Sequence, residues 1–140
     1  MRTVEVSRFV QAGPAHVRRL LTPEDIVGYE GTFEVLEVVP REESGDWLVE
    51  VAARGLSTTL RFEPLESGDG FYYEQLGEAG PLATMETTLT CTPENEGSRL
   101  TATSAVSLGI RPRFLSDRLA GWKRRGELKR ALAALAADAT

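Results

Sequence analysis

The sequence holds little with which to stitch itself covalently or to bind a metal. It contains one cysteine, Cys91, and one histidine, His16, so no internal disulfide closes and no histidine-rich metal or catalytic cluster assembles. Long apolar runs are missing: the longest, Ala131 to Ala137, falls far short of the roughly 20 residues that cross a bilayer. The chain opens Met1-Arg2-Thr3-Val4-Glu5, which alternates and does not run from basic to apolar as a secretory leader would. Lysine is scarce, with Lys123 and Lys129 the only two among 16 basic residues. No spacing of serine, histidine and acid points to a triad. The expectation is a soluble, cytoplasmic chain without metal or cofactor, in which no motif names a reaction.

What is present has the balance of a folded domain. The chain has 140 residues, 41% hydrophobic and 26% charged, enough to bury a sizeable core and too apolar for a disordered tail. No repeat, low-complexity tract or linker divides it, so residues 1–140 are expected to form one domain. A net charge of -5 argues against a general nucleic-acid binder. Positive charge is nonetheless concentrated late in the chain, where Arg111, Arg113, Arg118, Lys123, Arg124, Arg125, Lys129 and Arg130 face only Asp117 and Glu127. At 100° per residue Lys123, Arg124 and Arg125 point in three directions, and no aromatic residues alternate with them as in single-strand binders. The favoured expectation is a solvated helix face complementing an acidic sheet. An anionic head group or acidic membrane surface is the alternative.

Thr3 to Gln11 alternates Val4, Val6 and Val10 with polar residues and predicts a half-buried strand. Gly13-Pro14 ends it, and Val17, Leu20 and Leu21 mark one face of a short helix. Thr22-Pro23-Glu24-Asp25 predicts a second helix, with Thr22 as cap and acids at the positive end of the dipole. Strands follow at Phe33 to Val39, Trp47 to Arg54, Ser57 to Leu65, Phe71 to Leu76, Leu82 to Thr92 and Ser98 to Leu108. Ser67-Gly68-Asp69-Gly70 is the strongest hairpin signal. Pro112 to Asp138 is one long helical pattern. Hairpin succession makes the sheet antiparallel, and only the terminal helix is long enough to cover its apolar face.

The opening Val4-Glu5-Val6-Ser7-Arg8-Phe9-Val10, then Ala12-Gly13-Pro14-Ala15-His16-Val17-Arg18-Arg19-Leu20-Leu21, resembles the START-like, birch-pollen-allergen-like superfamily (SRPBCC). This superfamily includes polyketide cyclases and dehydrases, coenzyme Q-binding proteins and lipid-transfer proteins. The resemblance continues through Gly97-Ser98-Arg99-Leu100-Thr101-Ala102 and the terminal helix. It implies an α+β helix-grip fold: a seven-stranded antiparallel sheet wrapped around a long C-terminal helix, with two short helices after the first strand. A cavity for an apolar small molecule would lie between sheet and helix. The superfamily has no shared catalytic motif, so the resemblance assigns no catalytic residue.

The more apolar set on each strand should face the helix. That places Val35 and Val39, Val49 and Val51, Thr58, Leu60 and Phe62, Tyr73 and Gln75, Met85, Thr87 and Leu89, and Leu100, Ala102 and Ser104 inside. Tyr73, Gln75, Thr87 and Ser104 are polar there and need partners, either one another, the backbone and water, or a ligand. On the terminal helix Leu115, Leu119 and Trp122 form a stripe that continues to Gly126 and Ala133, where small residues leave open volume or mark a kink. Leu128, Leu132 and Leu135 form a second stripe, assigned to the sheet end or a partner chain. The ligand site is accordingly expected at Phe62, Tyr73, Gln75, Met85, Thr87, Leu115, Leu119 and Trp122, with Gly77 to Pro81 and the Tyr29 to Gly31 turn as lids. Glu37 and Arg8 interrupt apolar faces and are candidates for a buried ion pair or a pocket polar group, with ordinary strand ends or bulges as the alternative. The expected function is binding or carriage of a small hydrophobic molecule such as a lipid, isoprenoid, quinone or polyketide-like aromatic, by a monomer or homodimer. The alternatives are a cyclase or dehydrase enzyme and a ligand-free interaction module.

Overall fold

A computed structural model of the chain describes residues 1–77 and 82–140. The element order is β1 (Arg2–Val10), α1 (Pro14–Arg18), α2 (Pro23–Glu30), β2 (Glu34–Arg41), β3 (Asp46–Ala53), β4 (Leu56–Pro64), β5 (Gly70–Leu76), β6 (Thr84–Glu94), β7 (Gly97–Ser107) and α3 (Arg113–Ala139). The strands form one antiparallel sheet ordered β1-β7-β6-β5-β4-β3-β2. α3 lies across its concave face, as in the expected helix-grip architecture.

Local chemistry accounts for the elements. The Thr22 Oγ1 accepts the Asp25 N–H at 3.1 Å, capping α2, and Pro23 occupies its first turn. α2 runs through Gly28 and stops at Gly31, whose φ of 74° is the left-handed conformation that glycine adopts without strain. The Arg130 guanidinium then donates to the Glu30 carbonyl at 2.8 and 3.0 Å, placing a cation at the negative end of α2. The Tyr29 hydroxyl donates to Asp138 at 2.8 Å, so the end of α2 is held on α3 at two points.

Side-chain alternation follows the sequence pattern on β3 to β7: Val49, Val51, Leu60, Phe62, Tyr73, Leu89, Leu100, Ala102 and Val106 are all buried. β2 departs from it. A bulge between Val35 and Glu37 shifts the register, pairing Val38 with Val49 and Glu37 with Glu50. Val38 therefore packs on the core while Val39, expected inside, is exposed. The same bulge turns Glu37 to the outer face, and Arg8 is likewise exposed; neither joins an ion pair among the described residues.

On the outer face, Asp46 accepts from Arg41 at 2.6 and 2.8 Å, from Ser44 at 2.7 Å and from Arg61 at 3.3 Å. These bonds, Arg41 first, hold the Asp46 carboxyl well below the usual carboxylate range; the hydrogen bonds from Arg99 also lower the Glu94 carboxyl. A depressed folded pKa adds stability above the unfolded pKa and loses it as pH falls through the folded one. Thermal melts from pH 7 to pH 2 should therefore be flat down to about pH 5 and then fall below about pH 4, where the unfolded carboxylates protonate. Asp46→Asn should flatten that acid limb. An unaltered limb would show that the cluster contributes nothing in acid.

Candidate functional site

The space between sheet and helix is occupied by a charged cluster. Glu30, the last residue of α2, points its carboxylate inward, where Oε2 accepts from the Tyr73 hydroxyl at 2.7 Å and Oε1 accepts from Arg124. Arg124 is 3% exposed. Its Nε donates to Ser104 Oγ at 3.0 Å, and its Nη2 donates to Thr87 Oγ1 at 2.8 Å and to Tyr73 at 3.3 Å. The Ser104 and Thr87 hydroxyls share a hydrogen bond at 2.8 Å, with the Glu86 carbonyl 3.1 Å from Ser104 Oγ and Met85 Sδ 3.2 Å from Thr87 Oγ1 as further acceptors. Glu127 stands one turn along α3, 3.7 Å from Arg124, and accepts from the Thr32 hydroxyl.

Two buried carboxylates thus face one buried guanidinium. Burial raises the Tyr73 phenol well above its ordinary pKa of 10, and the neighbouring Glu30 charge pushes the same way. Tyr73 therefore remains a neutral donor to Glu30. Arg124 shifts upward too: burial opposes its charge, but the Glu30 carboxylate and the Tyr73 oxygen outweigh that cost. The Phe62 ring stacks on Tyr73 with centroids 4.4 Å apart, which fixes the phenol against the cluster.

Packed this way, the described residues leave an interior cavity of about 20 Å³, lined by Val27, Leu60, Gln75, Leu82, Met85 and the charged cluster. That is room for about one water molecule. Outside it lies a groove of about 920 Å³ between α3, the α2–β2 connection and the β3–β4 turn. Phe33, Ala52, Ala53, Leu56 and Trp122 supply its apolar surface, and Arg54, Lys123, Arg125 and Lys129 its rim. A Cβ placed on Gly126 would meet nothing within 4 Å, so the open volume expected beside this residue is present. Thr32, Phe33, Lys123 and Glu127 line both spaces and form the partition between them.

The sequence and this architecture agree with one family. Residues 1–140 match the family described as polyketide cyclase / dehydrase and lipid transport. The chain belongs to that family. Solved structures similar to this member of the START-like family include TTHA0849 from Thermus thermophilus, with 25% identity, a TM-score of 0.74 and coverage of 96% of this chain and 94% of that one. The Zhui aromatase/cyclase from a Streptomyces species shares 18% identity at a TM-score of 0.69, covering 99% and 93%. A START superfamily protein from Mycobacterium smegmatis shares 13% identity at a TM-score of 0.70, covering 99% of both chains. No curated protein matches the sequence.

In this family member the residues expected to form the site divide into three groups. Gln75 and Met85 line the small interior cavity, where the Gln75 amide donates to the Leu82 carbonyl at 2.7 Å. Phe62, Tyr73 and Thr87 are buried, and the last two are partnered by Arg124 and Glu30. Leu115, Leu119 and Trp122 are 50%, 61% and 78% exposed; Trp122 reaches the groove and the two leucines lie on the outer face of α3.

The inward stripe of α3 is the second one, Leu128, Leu132 and Leu135, continued by Arg124, Ala120, Asp117 and Ser116. α3 approaches β1 too closely for large residues: a Cβ on Gly121 would lie 2.5 Å from Arg2 Cγ and 3.4 Å from Val4 Cγ1. Around Gly121 the packed side is thus made of small residues, Ala120 and Gly121, while Leu115, Leu119 and Trp122 stand on the free side; farther along, the packed side is filled by Arg124, Leu128, Leu132 and Leu135. Arg124, expected in solvent, is the centre of the interior. Continuing the Leu128–Leu132–Leu135 stripe back by one turn would have reached it. Glu30 lies three and four residues after Val27 and Ile26, so continuing the buried face of α2 by one turn would have reached it as well. Of the expected lids, the Tyr29 to Gly31 turn is tied down by Arg130 and Asp138, and the Gly77 to Pro81 loop lies, from residue 78 on, outside the described residues.

Proposed function

We propose that the chain binds a small hydrophobic molecule, of the lipid, isoprenoid, quinone or polyketide-like kind, in the groove beside Gly126. The observation behind this reading is the groove itself. Its volume of about 920 Å³ is the size of a small-molecule site, whereas the cavity among the described interior residues is about 20 Å³. Phe33, Ala53, Leu56 and Trp122 supply the apolar contact that removes a ligand from water. The family's description and the aromatase/cyclase among the similar structures support the same class of ligand. Gln75 and Met85 lie behind the partition and do not line the groove. Leu115 and Leu119 drop out of the site.

Native mass spectrometry of the purified protein, followed by organic extraction, is expected to recover an apolar adduct. Ala53→Trp fills the groove and should weaken binding of the neutral fluorescent probe N-phenyl-1-naphthylamine roughly tenfold, since about 1.4 kcal/mol of apolar contact corresponds to one decade. Unchanged probe affinity in a folded Ala53→Trp protein would remove the groove as the site. A cyclase or dehydrase activity rests on Glu127, whose side chain lines both groove and interior and is positioned by Thr32 and Arg124 to exchange a proton with a bound molecule. Extraction separates the two readings, because a carrier returns the molecule it was given and an enzyme returns a product.

A further inference from the structure

The outer face of α3 has no role in the fold. Phe114, Leu115, Leu119 and Trp122 are 68%, 50%, 61% and 78% exposed and share the first half of one helix, with Ile110 exposed just before it. Single exposed apolar residues are ordinary, but a contiguous set on one face marks a surface that something covers. At 100° per residue Leu115, Leu119 and Trp122 form a spine, Arg118 and Arg125 run along one edge of it, and Lys123 lies along the other. Arg111 and Arg113 stand at its N-terminal end. None of these cations pairs with a carboxylate among the described residues. The two acids of this helix segment, Asp117 and Glu127, are buried on the opposite side.

The charge pattern selects the occupant. A two-fold contact between copies would set this face against itself. Both edges are cationic and no acid is exposed between them, so the apolar spines would meet only with arginines and lysines opposed. An acidic lipid surface complements the face at every position. Phenylalanine, leucine and tryptophan enter the boundary between headgroups and acyl chains, and arginines and lysine lie among the phosphates. The rest of the chain is acidic, with a net charge of -5 overall, so repulsion elsewhere orients this face toward an anionic membrane.

We propose that the N-terminal half of α3 docks on the surface of an anionic bilayer, with Phe114, Leu115, Leu119 and Trp122 in the interfacial layer and Arg118, Lys123 and Arg125 on its phosphates. Trp122, Lys123 and Arg125 also border the groove, so docking brings the groove mouth to the lipid surface. Phe114, Leu115, Arg118 and Leu119 do not line the groove, so docking is tested through them without altering the groove's lining.

Co-sedimentation with vesicles tests this, comparing pure phosphatidylcholine with phosphatidylcholine containing about 30 mol% phosphatidylglycerol, the acidic headgroup supplying the potential. The expected result is binding to the acidic vesicles, little to the neutral ones, and a blue shift of tryptophan emission that Trp122→Phe removes. Arg118→Ser should lower the partition coefficient roughly fivefold. Leu115→Ser with Leu119→Ser should lower it at least roughly tenfold at an unchanged melting temperature, because both side chains already face solvent. Equal binding to both vesicles, or none to either, would overturn the proposal. So would a Leu115→Ser, Leu119→Ser protein that still binds vesicles but sediments as a monomer where the parent is a dimer, since the face would then belong to a second copy.

Discussion

Arg124→Met is expected to cost about 3–5 kcal/mol of folding stability, the usual consequence of removing one partner from a buried ion pair. Methionine fills much of the arginine's volume, so the loss measures electrostatics more than packing. The substitution leaves Glu30 and Glu127 facing each other across the interior without a cation, and it strips donors from Ser104 and Thr87. Urea unfolding of the variant reads the loss directly as a lowered midpoint. Glu30→Gln in the same chain should return part of it, because one of the two stranded charges is then gone. The resulting coupling separates the ion pair from the remainder of the cluster. A midpoint within error of the parent would mean that the carboxylates take up protons at little cost when Arg124 is absent. Arg124→Lys should recover only part of the parent stability, since one ammonium cannot serve Ser104, Thr87, Tyr73 and Glu30 from the fixed plane that the guanidinium occupies.

Gly70→Ala is the second large effect, for a purely steric reason. Gly70 opens β5 opposite Thr90 of β6. A Cβ there would lie 1.8 Å from the Leu89 carbonyl oxygen, 2.9 Å from its carbon and 3.1 Å from Thr90 Cα. All three are backbone atoms, so no rotamer change relieves the overlap and the strands must part. Parting them strains the turn in which Leu65 N–H donates to the Gly70 carbonyl at 2.9 Å and Cys91 N–H donates to the Asp69 carbonyl at 2.7 Å. A loss of about 3 kcal/mol is expected, at the upper end of overpacking costs. Gly68→Ala, two residues earlier in the same turn, is the control. Its φ of 76° favours glycine but nothing lies within 4 Å of the added methyl, so the cost should be only about 1 kcal/mol, that of a left-handed non-glycine residue. Equal losses in the two variants would show that backbone conformation, and not strand separation, governs this turn.

The alternation of Val49 and Val51, Leu60 and Phe62, and Leu100, Ala102 and Ser104 was legible because a strand's two faces are a property of neighbouring residues. Thr22-Pro23 as a helix start is legible for the same reason: the cap and the first turn are set by neighbouring residues. β2 failed at its bulge, since one extra residue exchanges the faces and no residue type announces it. Hydrophobicity does not separate the two stripes of α3, because Leu115, Leu119 and Trp122 are as apolar as Leu128, Leu132 and Leu135. Close approach to β1 at Gly121 decided the matter by excluding bulk.

The sequence by itself determined the order of elements and the antiparallel sheet with its covering helix, which follow from short-range periodicity and turn chemistry. It also contained the basic run of α3, without telling which of those charges leaves water. Only the tertiary structure decided that Arg124 goes inside, because a buried guanidinium is tolerable only with its partners, and Glu30 arrives from 94 positions away in the chain. With that cluster seated, the described residues leave an interior cavity of about 20 Å³ and the open volume lies in the groove beside Gly126. Local patterning fixes faces; the energetics of burying charge fixes where the space is.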